Sequence, residues 1–96
     1  MAKRRVSILV LDEHNLAEIA RHGVSAAEVV QVIANRHITG PNRRGAPGSI
    51  LLIGETDGGR LMTVPLTPTE DPTTWRPATA FEASRHQRTL FRRRAR

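Results

Sequence analysis

The sequence contains no cysteine, and its aromatic residues are Trp75, Phe81 and Phe91 alone. Without cysteine, disulfides and thiolate metal sites are excluded, and His14, His22, His37 and His86 stand at no metal-ligand spacing, so no metal or other cofactor is expected. So few aromatics leave the core to Val, Ile and Leu, and make Trp75 a core or interface anchor ahead of a base-stacking platform. Long hydrophobic runs are missing too. The longest, "SILLIG", is far short of a membrane span, and the apolar stretch near the start is interrupted by Asp12, which argues against a secretory signal and for a cytoplasmic protein.

Acids are absent after Glu82, where Arg85, Arg88, Arg92, Arg93, Arg94 and Arg96 follow; Lys3, Arg4 and Arg5 make the other end basic as well. A net charge of +6 placed in two blocks favours nucleic acid, an acidic protein or an anionic surface as partner, while a solvated tail is the plain alternative. Ninety-six residues make one domain, residues 1–96, with a core too small to enclose an elaborate active site. A shallow cleft or a binding surface is expected.

"VSILVL" (6–11) reads as a short buried strand. Asp12 is an N-cap candidate, and Leu16, Ile19 and Ala20 recur at helical spacing until Gly23. Ser25 with Glu28 forms a capping box opening a second helix, whose apolar face is Val29, Val32 and Ile33 and which ends near Asn35. Residues 36 to 48 are rich in Gly, Pro and Arg and read as a loop, with an edge strand over His37 to Thr39. Two apolar runs, 50–56 and 59–66, flank Asp57-Gly58, a dipeptide that favours a two-residue type I′ hairpin. That turn would pair Thr56 with Gly59, Glu55 with Arg60, Ile53 with Met62 and Leu51 with Val64. A second loop precedes a strand over 75–81, in which Pro77 suggests an edge or bulge. Ser84 with Gln87 opens a last helix carrying Leu90 and Phe91 inward and Arg85, Arg88 and Arg92 on one face. The fold expected is α+β: a strand, two helices, an antiparallel sheet of three or four strands with the hairpin at Asp57-Gly58, and a basic C-terminal helix.

Three segments in order, "DEHNLAEIARHGVSAAEVVQVIAN", "IGETDGGRLMTV" and "WRPATAFEASRHQRTLF", resemble the BrnT family of ribonuclease toxins of type II toxin-antitoxin systems. The resemblance covers most of the chain and rests chiefly on Arg21-His22-Gly23-Val24-Ser25 and on Thr56-Asp57-Gly58-Gly59-Arg60-Leu61. It implies a RelE-like fold, metal-independent cleavage of cytoplasmic RNA, and silencing by a cognate antitoxin that usually carries a ribbon-helix-helix DNA-binding module. It also allows a homodimer within the toxin-antitoxin complex. Arg60 matches the family's arginine for the scissile phosphate. The glutamate-arginine pair that members tend to place on the final helix falls on Gln87 and Arg88, and an arginine at the end of the last strand is replaced by Phe81.

Such cleavage needs a base for the 2′-hydroxyl, a cation or donor cluster for the dianionic phosphorane, and an acid for the departing 5′-oxygen. Arg60 and Arg88 suit the middle task, because a guanidinium stays charged and pairs two phosphate oxygens. Gln87 would position substrate through hydrogen bonds. Arg85, Arg92 and His86 are candidate RNA contacts, and Glu82 or Glu55 the candidate base. Two plain readings stand beside these: Arg60 in a cross-strand ion pair with Glu55, and the helix arginines as a solvated face. His22 is expected to interact with the carbonyls at its helix end. The alternative function is a catalytically weak or inactive relative that binds RNA or protein.

Overall fold

A computed structural model describes residues 6–95; the basic group at Lys3, Arg4 and Arg5 lies outside them. The described residues form an α+β domain with a six-stranded mixed sheet and three helices. In chain order the elements are β1 (Ile8–Leu9), α1 (Glu13–Arg21), α2 (Ala26–Ala34), β2 (His37–Pro41), β3 (Ile50–Glu55), β4 (Leu61–Pro68), β5 (Thr74–Pro77), β6 (Phe81–Glu82) and α3 (Arg85–Arg94). The sheet runs β1-β5-β4-β3-β2, with β6 also paired to β4.

Each helix begins where side-chain oxygen chemistry dictates. Asp12, Ser25 and Ser84 are the N-caps, and all three make a capping box, with Asn15, Glu28 and Gln87 reaching back. Asn15 does this while buried, and its amide also donates to the Val10 carbonyl at 2.7 Å, so its polar groups are satisfied inside. Gly23, at φ +71°, ends α1 in the left-handed region and lets the N-cap of α2, Ser25, follow two residues later. Arg92, Arg93 and Arg94 make the final turn of α3, where their positive charge complements the negative end of the helix.

The sheet has six strands where three or four were expected, and it departs from the expected one in three further ways. It is mixed, because β1 runs parallel to β5 through Ile8–Thr74 and Leu9–Trp75. The strand expected over 75–81 is two pieces, β5 and β6, both antiparallel to β4. Pro77, unable to donate to a ladder, closes β5 past the reach of β1. The hairpin register also differs: Glu55 faces Leu61, Gly54 faces Met62, Ile53 faces Thr63 and Leu52 faces Val64.

Both faces of the sheet are covered. Ile50, Leu52, Met62, Val64, Leu66 and Trp75 pack with Ile19, Val24, Val29 and Val32 from α1 and α2. Ile38, Ile53 and Leu61 pack on the other side with Phe91 and Ala95 of α3. Strands covered on both faces read as continuous apolar runs, as "SILLI" does. Trp75 is fully within the first core. Among the described residues no helix is long and apolar enough to cross a membrane.

Candidate functional site

The hairpin tip organises the site. Gly59 N–H donates to the Thr56 carbonyl at 3.0 Å, Thr56 N–H donates to the Arg60 carbonyl at 2.9 Å, and Gly59 has φ +89° while Asp57 and Gly58 stay negative. This is a three-residue loop, a type I turn closed by a left-handed glycine, and not the two-residue type I′ turn expected from Asp57-Gly58. The second glycine of the pair supplies the unusual conformation.

The tip is tied to the end of α2. Asp57 N–H donates to Gln31 Oε1 at 3.0 Å, and Asn35 Nδ2 donates to the Glu55 carbonyl at 3.0 Å and to Asp57 Oδ1 at 2.9 Å. Gly54 makes the approach feasible: a Cβ there would fall 2.8 Å from His37 Cβ and 3.0 Å from the carbonyl oxygens of Arg36 and Val32. The hairpin and the second helix are therefore one rigid unit on which side chains can be held.

The ion pair expected between Glu55 and Arg60 is not made. The extra loop residue turns Arg60 to the α1–α2 side, where Nη1 meets Glu28 Oε2 at 2.8 Å and the Gly23 carbonyl at 3.3 Å, and Nη2 meets Glu82 Oε1 at 3.5 Å. The hydrogen bond that Arg60 donates to Glu28 leads the contacts that raise the guanidinium pKa. Glu28 uses its other oxygen to accept from Ser25 N–H at 3.1 Å; that bond first, and Arg60 second, hold its carboxyl below the usual range. Arg60, the residue before β4, thus ties the hairpin to α2, to β6 and to the turn between α1 and α2.

On the opposite side of the sheet lies a cleft of about 460 Å³ between the hairpin and α3. Arg36, Arg88 and Arg92 line it with Glu55, over a floor including Leu61 and Phe91. Arg36 donates to Glu55 at 3.4 Å, and its guanidinium lies 5.4 Å from the centre of the Phe91 ring, close enough for cation–π attraction. Three guanidiniums against one carboxylate make the cleft basic. A hollow of about 580 Å³ at the hairpin tip, lined by Asn35, Arg36, Glu55, Thr56, Asp57 and Gly59, shares three of those residues with it.

The structure therefore divides the residues singled out in the sequence. Arg88, Arg92 and Glu55 come together in the cleft, whereas Arg60 and Glu82 sit together on the other face. Gln87 occupies neither place. Its Oε1 accepts from Ser84 N–H at 2.8 Å and from Thr63 Oγ1 at 2.7 Å, so it fastens α3 to the sheet. Arg85 and His86 are exposed at the start of α3 and line neither hollow. His22 meets the end of α1 through its backbone N–H, which donates to the Ile19 carbonyl at 3.1 Å, while its ring Nε2 is 3.4 Å from Glu18 and the ring meets Phe81 edge-on. Phe81, at the position of the expected family arginine, is packing.

Two residues matter more than the sequence suggested. Arg36 has no motif around it, and only the strand pairing of β2 with β3 brings it to Glu55. Glu28 is visible as a capping residue, but its second oxygen, on Arg60, is a contact between residues 32 positions apart. Among the described residues no group of three or more His, Cys, Asp or Glu is placed to hold a metal ion. No protein-family model matches the chain, and no curated protein matches it significantly.

Proposed function

We propose that the protein is a BrnT-like ribonuclease toxin that cleaves RNA without a metal, is silenced by a cognate antitoxin, and uses the cleft between the hairpin and α3 for catalysis. One observation carries the reading: Arg36, Arg88 and Arg92 surround a single hollow that also presents the carboxylate of Glu55. In that arrangement Glu55 takes the proton of the 2′-hydroxyl, whose oxygen attacks the adjacent phosphorus. Arg88 and Arg92 offset the charge of the phosphorane, and the 5′-oxygen leaves with a proton from water. The products are a 2′,3′-cyclic phosphate end and a free 5′-hydroxyl. Arg60 holds the frame in this scheme.

Binding of RNA without turnover is the second reading, and the ion pair of Glu55 with Arg36 favours it, since a carboxylate oxygen held by a guanidinium is not free to meet a 2′-hydroxyl. Induced expression in bacteria, with and without a co-expressed antitoxin candidate, separates the two. Growth arrest and RNA fragments ending in cyclic phosphate support the enzyme. Intact RNA together with measurable RNA binding by the purified protein leaves the binding module.

A further inference from the structure

A hollow of about 640 Å³ that the proposed activity does not use lies in the connection between β2 and β3. Two successive turns build it. Asn42 to Gly45 is closed by Gly45 N–H on the Asn42 carbonyl at 3.3 Å and by Arg44 N–H on Asn42 Oδ1 at 3.2 Å. Ala46 to Ser49 is closed at 3.0 Å and has Pro47 second and Gly48 third at φ +83°, as a type II turn requires.

No acid lines this hollow, and Arg43 does. Arg94 of α3 stands beside it, donating to the Thr39 carbonyl at 3.2 Å. Within its wall Ser49 is only 7% exposed, and its hydroxyl has no hydrogen-bond partner, the one such buried side-chain atom among the described residues. A buried donor of this kind is normally met by protein or by a bound group. Gly45 lies directly over it: a Cβ at that position would come 3.2 Å from Ser49 Oγ and 2.8 Å from Asn42 Nδ2. The absence of a side chain leaves the hydroxyl covered by one short turn, whose closing bond is long for an N–H···O contact.

We propose that this hollow is a phosphate subsite for the RNA strand, with Arg43 pairing the phosphate oxygens and the Ser49 hydroxyl donating to one of them once the turn carrying Gly45 lifts. The subsite rests on the reading that RNA occupies the α3 cleft, and extends it: Arg88 and Arg92 belong to the cleft, while Arg94, on the same helix, adjoins the β2–β3 hollow. A strand following α3 would meet both, and phosphate contacts set register without reading sequence.

Two measurements test this. Inorganic phosphate added to ¹⁵N-labelled protein is expected to shift the amide resonances of residues 42–49 in the wild type and not in Ser49→Ala. Anisotropy with a labelled single-stranded RNA dodecamer is expected to show a salt slope smaller by ~0.7 in Arg43→Ala, the loss of one phosphate contact. Ser49→Ala should bind RNA more weakly without any fall in Tm, since it removes an unmet donor. Phosphate shifts without any RNA effect would mean that the hollow takes free phosphate only, which overturns the strand path. Absence of shifts, or a normal slope in Arg43→Ala while Arg88→Ala loses affinity, overturns the subsite and leaves the cleft reading standing. A wild type that binds no RNA overturns both.

Discussion

Replacing Arg60 by alanine should destabilise the protein and leave intact the RNA cleavage proposed for the cleft. The side chain makes a 2.8 Å bond to Glu28, a 3.3 Å bond to the Gly23 carbonyl and a 3.5 Å contact with Glu82. It is 36% exposed, and Glu82 is 62% exposed, so solvent screens the last contact and little stability resides there. The Glu28 bond is better sheltered, its carboxylate being 22% exposed. Together the contacts are worth about 1–1.5 kcal/mol, which for a domain of this size lowers Tm by roughly 5–10 °C. Thermal and urea unfolding measure the loss, and a double-mutant cycle with Glu28→Gln should return a coupling on the order of 0.5–1 kcal/mol between the two positions. RNA cleavage, assayed well below the variant's Tm, should remain within a few-fold of wild type. The opposite pattern, unchanged Tm with abolished cleavage, would falsify the structural assignment and return Arg60 to the scissile phosphate.

Arg88→Ala should behave in reverse, with Tm held and cleavage reduced by about 100-fold, the usual scale for removing one charge-stabilising donor; equal activity would remove Arg88 from the site. Under the proposed function, Glu55→Gln should slow cleavage by ~100-fold while tightening RNA binding, because the carboxylate would both serve as base and repel phosphate. A binding assay showing weaker affinity in that variant would count against both roles. Gly54→Ala should cost about 1–3 kcal/mol, since its methyl would meet His37 and two backbone carbonyls, and its urea midpoint reports this directly. Acid should weaken the fold through Asp12, held low by the Asn15 amide and then by Arg76, and through Glu28, held low by Ser25 and then Arg60. Both folded pKa values lie below their unfolded ones, so this stabilisation is complete above the unfolded values and is lost as pH falls through the folded ones, from about pH 5 downward. Glu28→Gln should flatten the Tm profile in that range and leave it unchanged at pH 7 to 8 in shape.

Much of the fold was legible because it is locally encoded. Ser25-x-x-Glu28 and Ser84-x-x-Gln87 are capping boxes in the sequence and in the structure, and Gly23 ends α1 as its conformational freedom predicts. What escaped reading depends on contacts distant in the chain. The pairing of β1 with β5 joins residues 66 apart in sequence, and two residues of strand carry no periodicity to announce it. The break between β5 and β6 comes from both pieces seeking the long β4 at different places. Arg36 reaches its cleft only through the register of β2 on β3.

The hairpin shows how a small local misreading becomes a functional one. Asp57-Gly58 suggests a two-residue loop, and that register puts Arg60 opposite Glu55, on the side of α3 and of Arg88. The three-residue loop moves β4 by one position against β3, and with a side-chain period of two a single step exchanges the faces. Hydrophobic pattern could not arbitrate, because Ile50, Leu51, Leu52 and Ile53 are apolar on both faces and satisfy either register. The decision belongs to side chains outside the hairpin. Met62, Val64 and Leu66 fill the core against α1 and α2, Leu61 fills the one against α3, and Gly54 alone admits the end of α2. Once the glycine at 59 takes positive φ, Arg60 must follow Met62 to the α2 side, where Glu28 and Glu82 receive it. The arginines left facing the cleft are then those of β2's approach and α3, and the proposed chemistry follows them.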